Sequence, residues 1–427
     1  MNINRLLTQA KAYEQKGKIE EAIQLYLSIL EVSPENRKVI KRLKKLKAAI
    51  LKNNIDHSKQ DEINAVIELY NQGEIRDSLS TSKLLLDKYP NESILYYTNG
   101  GCYSSLNQLD NAIEQCKYAI NFNPDFIDAH LNLGNAYKEL GQLEASADCY
   151  EYLLQIESID AETFNKIGVS LKTIDRLDSA VTAYQKALEI NPNFVEALYN
   201  LGIVNNARGE LDVAEASYQK ALQINPNFAD AHNNLGNIYK FQEQYDLALE
   251  YYVQAIKLNS KYVDALHNQG VVLSKLERLE EAISSFMSAL KINPEFYESH
   301  YGLGNCYKDL GQYSIAIRSY EKTIALKPDY TEVHYNIAHT NEELGLVHEA
   351  IEGYEHTLLI DSAYDKARFN LSLLQLGNDF LNEGFKNYES RWEYEKFPSP
   401  RRQFSIPRWS GESLQGKNIL LWAEQGI

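Results

Sequence analysis

Apolar and small residues recur along the chain in the pattern of two consecutive amphipathic helices, and the whole pattern repeats every 34 residues. Residues 297–330 show it most clearly, because apolar and small side chains fall three and four positions apart in each half of this stretch. The residues that carry the pattern are Leu303, Gly304, Tyr307, Ala316 and Tyr320, followed by Pro328. The sequence therefore predicts a helix, a turn and a second helix as its repeating unit.

The register of this unit is kept over most of the chain. A proline or serine closes each unit, 34 residues after the previous one. These residues are Pro90, Pro124, Ser158, Pro192, Pro226, Ser260, Pro294, Pro328 and Ser362. A fixed period predicts one elongated stack of repeats, in place of the two or three globular domains that 427 residues would otherwise suggest.

Two positions, counted from the first residue of each unit, predict how the helices pack. Glycine at position eight costs about 1 kcal/mol relative to alanine within a helix, so we expect the first helix to approach its neighbour closely there. A large aromatic residue at position twenty-four would fill the space, and we interpret it as core and not as part of a cofactor site. Position eight is Gly100, Gly134, Gly168, Gly202, Gly236, Gly270 and Gly304. Position twenty-four is Tyr150, Tyr184, Tyr218, Tyr252, Phe286, Tyr320 and Tyr354.

The period also predicts the domain boundaries. A first repeat at 3–36 is followed by a basic helix and linker at 37–58, nine contiguous repeats at 59–364, a degenerate or capping repeat at 365–398, and a tail at 399–427.

The insertion at 37–58 has an amphipathic pattern of its own. Its apolar stripe is Val39, Leu43, Leu46 and Ile50. Its basic side carries Lys38, Lys41, Arg42, Lys44, Lys45 and Lys52. We interpret residues 37–52 as a connecting helix packed on the first repeat, and the following DHSKQ as a linker. The alternative is contact with anionic lipid or an acidic partner.

The tail differs in composition from the repeats. All three tryptophans, Trp392, Trp409 and Trp422, lie near or within it, and its first half is basic and rich in proline. Residues 419–422 predict a buried strand, which would begin a truncated α/β domain. The alternative is a tail docked on the last repeat.

Charge, cysteine spacing and the length of apolar runs argue against several classes of function. A net charge of -16 and a pI near 5.1 argue against general nucleic-acid binding, which needs a basic surface. The four cysteines lack the spacing of a metal site, and no stretch reaches the roughly 18 apolar residues that span a bilayer. We expect no metal, no cofactor, no transmembrane segment and a reducing cytoplasmic location, while the oligomeric state stays open.

The repeat resembles the tetratricopeptide repeat, whose pattern is L-G-x2-Y, then A-x3-F, then P, with His300 where that pattern often has tryptophan. The resemblance implies an all-α, right-handed α-solenoid of about ten repeats that binds a protein or peptide in an inner groove lined by the first helices.

The tail resembles bacterial tetratricopeptide proteins in which YExRW, PxW-x-G-x-x-L-x-GK and a strand ending in EQG lead into a glycosyltransferase-like domain. The matching residues are Tyr388, Glu389, Arg391, Trp392, Pro407, Trp409, Gly411, Leu414, Gly416, Lys417, Glu424, Gln425 and Gly426. This resemblance implies the alternative function of a substrate-recognition arm for a sugar-nucleotide-dependent glycosyltransferase. The chain itself shows no catalytic motif, so enzyme activity stays undecided.

Two rows of side chains on the first helices are candidate peptide-binding residues. Position six is Asn132, Asn200, Asn234, Asn268, Asn336 and Asn370, interrupted by Lys166 and Gly302. Position two is Asp128, Glu162, Glu196, Asp230, Asp264, Glu298 and Glu332. Asparagine amides can pair with an extended backbone, and carboxylates would favour basic or hydroxyl-bearing residues. These rows resemble those in the superhelix of O-linked N-acetylglucosamine transferases.

Each row also has a purely structural interpretation. First-turn carboxylates offset the helix dipole by about 0.3–1 kcal/mol each, and asparagine amides can hydrogen-bond a neighbouring repeat. Position four carries several histidines, but repeats about 10 Å apart would not bring them to one metal ion. We expect these histidines to pack against the next repeat. They are His130, His232, His300 and His334.

Overall fold

A computed structural model of the chain describes residues 3–156 and 158–388. Every regular element in these residues is an α-helix, and there are twenty-two of them. The chain divides into two compact units, Met1–Arg208 and Gly209–Ile427. The boundary falls between the two helices of the repeat at 195–228.

Eleven helices belong to the first unit and eleven to the second. The first unit contains α1 (Ile3–Gln15), α2 (Ile19–Val32), α3 (Arg37–Asn71), α4 (Ile75–Lys88), α5 (Ser93–Ser105), α6 (Leu109–Phe122), α7 (Ile127–Glu139), α8 (Leu143–Leu153), α9 (Ala161–Thr173), α10 (Leu177–Ile190) and α11 (Val195–Ala207). The second unit contains α12 (Leu211–Ile224), α13 (Ala229–Phe241), α14 (Tyr245–Leu258), α15 (Val263–Lys275), α16 (Leu279–Ile292), α17 (Tyr297–Asp309), α18 (Tyr313–Leu326), α19 (Thr331–Glu343), α20 (Val347–Ile360), α21 (Asp365–Gly377) and α22 (Leu381–Tyr388).

The helices follow the 34-residue period. From residue 93 onward, the first helix of each repeat, here the A helix, begins on position one, and the second, the B helix, begins on position seventeen. The predicted all-α architecture of paired helices is confirmed.

A left-handed residue at position fifteen ends every A helix. Its φ is positive in each repeat, including those without glycine there. A single residue in this conformation stops the helix and turns the chain into the B helix. These residues are Gly17, Gly73, Asn107, Gly141, Asp175, Gly209, Glu243, Glu277, Gly311, Gly345 and Asp379.

The linker predicted at DHSKQ is wrong, because this segment lies inside α3. That helix joins the 37–58 insertion to the A helix of the repeat at 59–92 without interruption. It contains no glycine or proline that would end it. Its start is capped by the Asn36 side chain, which accepts a hydrogen bond from the Val39 N–H at 3.3 Å.

The apolar stripe of α3 packs on the first repeat, as predicted, for the side chains that the structure describes. Val39 and Leu43 are buried in a cluster with Ala10, Tyr26 and Ile29. Arg42 donates hydrogen bonds to both oxygens of the Glu14 carboxylate, from Nε to Oε1 and from Nη2 to Oε2. Because this stripe is buried, any lipid or partner contact through α3 would involve its exposed lysines. They include Lys38, Lys41, Lys44 and Lys45.

The predicted aromatic core is confirmed, and it explains the glycines at position eight. The position-twenty-four rings are at most 1% exposed, and Tyr150, Tyr184, Tyr252, Phe286 and Tyr320 each pack over the position-eight glycine of their own repeat. A Cβ at Gly236 would lie 2.6 Å from Tyr252 Cε1, and one at Gly270 would lie 2.7 Å from Phe286 Cε1. The close neighbour that requires glycine is therefore a core ring of the B helix.

The predictions for the tail concern residues outside the described part of the chain, which ends at residue 388. This applies to the strand at 419–422, the three tryptophans and most of the glycosyltransferase-like motifs. Among the described residues, no helix is both long enough and apolar enough to cross a membrane.

Candidate functional site on the A helices

The A helices of neighbouring repeats contact each other within each unit. In the first unit α5 contacts α7 and α9 contacts α11, and in the second unit α15 contacts both α13 and α17. The side of the A helices that carries positions two and six, here the A-helix face, is therefore shared by successive repeats in each unit.

The position-two carboxylates form an exposed acidic row on this face. Five of them are exposed, while Glu298 and Glu332 are half-buried. Glu332 accepts a hydrogen bond from the Tyr364 hydroxyl, and Glu162 pairs with Lys166 at 2.8 Å. The five exposed residues are Asp128, Glu162, Glu196, Asp230 and Asp264.

These carboxylates also lie in the first turn of their helices, where the helix dipole favours negative charge. Most of these helices start after an aromatic residue that provides no side-chain cap, such as Phe126 before α7 or Tyr262 before α15. In α9, by contrast, Asp160 accepts a hydrogen bond from the Thr163 N–H at 2.9 Å. The structural interpretation is therefore supported, and it leaves the exposed carboxylates available to a ligand.

The position-six asparagines connect successive repeats. Asn200 Nδ2 donates to Asn165 Oδ1 at 3.0 Å in the first unit. In the second unit, Asn336 Nδ2 donates to the Tyr301 hydroxyl at 3.2 Å, and Asn370 follows the same pattern. The predicted structural role is thus observed. These bonds use the amide N–H groups, so the carbonyl oxygens of the half-buried Asn200 and Asn370 keep their capacity to accept hydrogen bonds, whereas Asn336 is buried.

Both interruptions of the asparagine row have local causes. Lys166 forms its ion pair with the position-two carboxylate of its own helix. At Gly302, the ring of Phe286 occupies the place of a side chain, because a Cβ there would lie 2.5 Å from Phe286 Cζ. In other pairs of neighbouring repeats, a tyrosine hydroxyl bonds to the position-six asparagine of the next repeat. In this pair, the phenylalanine ring has no hydroxyl and lies against a glycine.

Position nine contains structural residues that the sequence analysis missed. Tyr252 donates its hydroxyl to Asn237 Oδ1 at 2.8 Å, and the tyrosines of two other repeats bond to Asn135 and Asn305 in the same way. One repeat contained a signal for this bond in its sequence. Its position twenty-four is Phe286, which has no hydroxyl and needs no acceptor, and its position nine is Val271 in place of asparagine. Tyr184 lacks such an acceptor, because position nine of its repeat is Val169, and its buried hydroxyl has no partner.

We expect Tyr184→Phe to raise the free energy of unfolding by about 1 kcal/mol, because it removes an unsatisfied buried hydroxyl. Tyr252→Phe is the matched control, and it should lower that energy by about 0.5–1.5 kcal/mol through loss of the bond to Asn237. Urea unfolding followed by circular dichroism measures both, and destabilisation by Tyr184→Phe would contradict the expectation.

The position-four histidines stabilise the turn that precedes their own helix. His130 Nε2 lies 2.8 Å from the Pro124 carbonyl oxygen, and the three other histidines repeat this contact. The His130 ring stacks on Tyr152, 4.6 Å away in the B helix of its own repeat. The expectation of packing against the next repeat was therefore wrong. No group of three metal-ligating side chains occurs in residues 3–156 and 158–388.

An open depression lies on the A-helix face of the first unit, with a volume of about 630 Å³. It brings together Glu162 and Glu196 from position two with Asn165 and Lys166. Acidic, basic and amide groups thus meet at one surface between α9 and α11.

The second unit contains a polar cluster that the sequence analysis did not identify as a group. Lys240, at position twelve of α13, donates to Asn268 Oδ1 on α15 at 2.7 Å. Next to Asn268, His267 Nδ1 lies 3.0 Å from the Ser299 hydroxyl on α17. Burial lowers the pKa of Lys240. Burial, together with the charge of Lys240, lowers the pKa of His267 to about 4, so His267 is neutral at pH 7.

Family models of the tetratricopeptide repeat match stretches that together cover more than half of the chain. With the paired helices, they define an all-helical repeat protein, and the chain belongs to the tetratricopeptide repeat family. Models described as tetratricopeptide repeat match residues 4–36, 127–159, 229–262, 263–296 and 285–318. A model described as TPR repeat matches residues 102–141, 175–207, 205–242 and 304–345.

Individual proteins are similar to parts of the chain. FlbA of Caulobacter vibrioides is 42% identical over 55 residues, which are 13% of this chain and 9% of FlbA. The crystal structure of the MamA protein is similar at 26% identity and a TM-score of 0.37, covering 40% of this chain and 94% of that one. YrrB, described as a TPR protein with an unusual peptide-binding site, is similar at 25% identity and a TM-score of 0.38, covering 44% of this chain and 96% of that one.

Proposed function

We propose that the chain binds an extended peptide or a partner protein along the A-helix face of its repeats. The observation that carries this proposal is the row of exposed carboxylates at position two, beside the half-buried amides of Asn200 and Asn370, which donate through Nδ2 and keep a carbonyl oxygen as an acceptor. A peptide backbone offers N–H donors at regular intervals, and these oxygens can accept them whatever side chains the peptide carries.

The geometry of the repeats suits an extended ligand. Packed helices lie about 8–10 Å apart, and an extended chain rises about 3.3 Å per residue. Each repeat would therefore contact about three residues of the peptide. The carboxylates would favour lysine, arginine or hydroxyl-bearing residues at those intervals.

The test uses variants of position two in the second unit, because these side chains do not hold repeats together as the asparagines do. We expect the triple variant Asp230→Asn, Asp264→Asn, Glu298→Gln to bind a peptide ligand roughly tenfold more weakly than the wild type does. Decapeptides selected from a random phage-displayed library with the wild-type chain serve as ligands, and fluorescence anisotropy measures their affinity.

The matched control changes three carboxylates in the first turns of B helices. Asp212→Asn, Asp246→Asn, Glu280→Gln removes the same charge and similar helix-dipole interactions, and its affinity should stay within about twofold of the wild type. Equal losses in both triple variants, or failure to select any peptide, would contradict the proposed function.

A second candidate function rests on Tyr388, Glu389, Arg391 and the tail motifs that follow them. In it, the repeats hold the substrate of a sugar-nucleotide-dependent glycosyltransferase. Determining the coding sequence after Ile427 tests this proposal. A glycosyltransferase-like domain there supports it, and an immediate stop codon contradicts it.

A further inference from the structure

Helix α3 carries exposed cations on the side that faces away from the first repeat. These residues, here the α3 cations, are Arg37, Lys38, Lys41, Lys44 and Lys45. Successive residues of a helix are about 100° apart, so the α3 cations fall within an arc of about 120°. The buried Val39 and Leu43 lie on the opposite side. Packing on the first repeat therefore does not account for these charges.

The α3 cations do not stabilise their own helix either. The start of a helix favours negative charge, and every A helix from α7 to α19 has a carboxylate in its first turn. The first turn of α3 has Arg37 and Lys38 and no acidic residue. Lys41 also repels Lys44 and Lys45, which lie three and four residues further along the helix. An anionic partner would offset these repulsions.

The described part of the chain does not supply that partner. No carboxylate in it forms an ion pair with an α3 cation, whereas the neighbouring Arg42 pairs with Glu14. Residues 36–55 contain no aspartate or glutamate. The α3 cations thus present five positive charges to the surroundings of the chain.

The rest of the chain has the opposite charge. Residues 1–52 contain 12 basic and 5 acidic residues, whereas residues 53–427 contain 31 basic and 54 acidic residues. Two copies of the chain therefore attract each other when the start of one approaches the acidic repeats of the other.

The acidic row of the second unit matches the spacing of the α3 cations. Asp230 on α13 and Asp264 on α15 are exposed, and neither forms an ion pair within the described residues. Their helices are in contact, and packed helices lie about 8–10 Å apart. Arg37 and Lys44 are seven residues apart, which is about 10.5 Å along α3. A copy of α3 crossing α13 and α15 would bring one cation to each carboxylate.

We propose that α3 of one copy of the chain binds the acidic row on α13 and α15 of a second copy. This inference rests on the proposed function, because it uses the same A-helix face and names a partner protein for it. The contact joins two different surfaces, so each copy keeps one surface for a further copy. Contacts of this kind produce rings or open chains of copies, whose average size rises with concentration.

Sedimentation velocity of the whole chain tests the contact. In about 0.05 M NaCl, the sedimentation coefficient should rise as the chain concentration increases to about 0.2 mM. In about 0.5 M NaCl it should stay at the monomer value, because salt screens the charges.

Neutral variants of α3 identify the basic surface. The α3 variant should associate at least about tenfold more weakly than the wild type, and it is Lys38→Gln, Lys41→Gln, Lys44→Gln, Lys45→Gln. The matched control removes four exposed lysines from B helices and should associate like the wild type. It is Lys220→Gln, Lys257→Gln, Lys291→Gln, Lys322→Gln. Melting curves establish that each variant is folded.

A second pair of variants identifies the acidic surface. The acidic-row variant Asp230→Asn, Asp264→Asn should also lose about tenfold in association. Asp212→Asn, Asp246→Asn removes the same charge from B helices and should keep the wild-type behaviour. An equimolar mixture of the α3 variant and the acidic-row variant should form a one-to-one complex and nothing larger, since each supplies the surface that the other lacks.

The outcomes separate the two proposals. If no decapeptide is selected and the wild-type chain stays monomeric at low salt, both fail. If peptides are selected but the wild type stays monomeric, or the mixed variants form no complex, the inference alone is overturned. A monomeric chain that binds phosphatidylserine vesicles through the α3 cations would also overturn it. Complex formation by the mixed variants supports the inference whether or not a decapeptide is selected.

Discussion

Replacing Tyr320 with alanine is expected to lower the free energy of unfolding by about 3–5 kcal/mol, as for other large aromatic residues removed from a core. Tyr320 is 0% exposed, its ring packs over Gly304, and its hydroxyl donates to Asn305 Oδ1 at 2.7 Å. Gly304 and Ala316, which lie beside the ring, are too small to fill the cavity that its removal would leave.

Urea unfolding measured by circular dichroism tests this expectation. Tyr320→Phe keeps the ring and should cost only about 0.5–1.5 kcal/mol for the lost hydrogen bond. Leu359→Ala, at a side chain that is 83% exposed, should have almost no effect. If Tyr320→Ala and Tyr320→Phe lowered the free energy of unfolding equally, the expectation that loss of the ring leaves a destabilising cavity would be wrong.

The effect of Tyr320→Ala should also appear in the cooperativity of unfolding. In repeat proteins each repeat is stabilised mainly through the interfaces with its neighbours. A damaged repeat at 297–330 weakens its contacts on both sides within the second unit. We therefore expect a broader transition than in the wild type.

Completing the asparagine row with Gly302→Asn is expected to destabilise the chain by about 1–3 kcal/mol. The sequence alone suggests the opposite, since asparagine occupies position six in most repeats. The structure shows why the row is interrupted, because the Phe286 ring lies 2.5 Å from where the new Cβ would be. Either the ring or helix α17 would have to move.

Two further variants test the cause of that loss. Gly377→Asn places the same residue at a helical glycine with nothing within 4 Å of its Cβ, and its stability should stay within about 0.5 kcal/mol of the wild type. Combining Gly302→Asn with Phe286→Leu shortens the obstructing side chain and should recover part of the loss. An unchanged stability in Gly302→Asn alone would contradict the steric explanation.

The helical periods were predictable because they depend on local spacing. The A and B helices, the buried position-twenty-four rings and the packing of Val39 and Leu43 on the first repeat all follow from which residues are apolar and how far apart they lie. The linker at DHSKQ was not predictable from its polarity, since a polar segment without glycine or proline can remain helical when both flanks are helical. Position fifteen was also missed, because its left-handed conformation is shared by glycine, asparagine, aspartate and glutamate.

The candidate site was predictable only in part. The sequence placed the carboxylates and asparagines at fixed repeat positions, and the structure puts both rows on the A helices. The sequence does not reveal whether an amide faces solvent or a neighbouring repeat, because Asn200 and Asn268 occupy the same repeat position and bond in opposite orientations. That difference depends on the residue that the preceding repeat presents.

By itself, the sequence determined the repeat, its length and the side chains that build its core, since a 34-residue period with glycine opposite an aromatic ring permits few other packings. The tertiary structure decided which polar residues hold repeats together and which stay available. Contacts between residues about 30 positions apart make that distinction, such as Lys240 with Asn268 or Asn336 with Tyr301. Their hydrogen bonds depend on the distance between neighbouring helices, which the spacing of residues along one helix does not set.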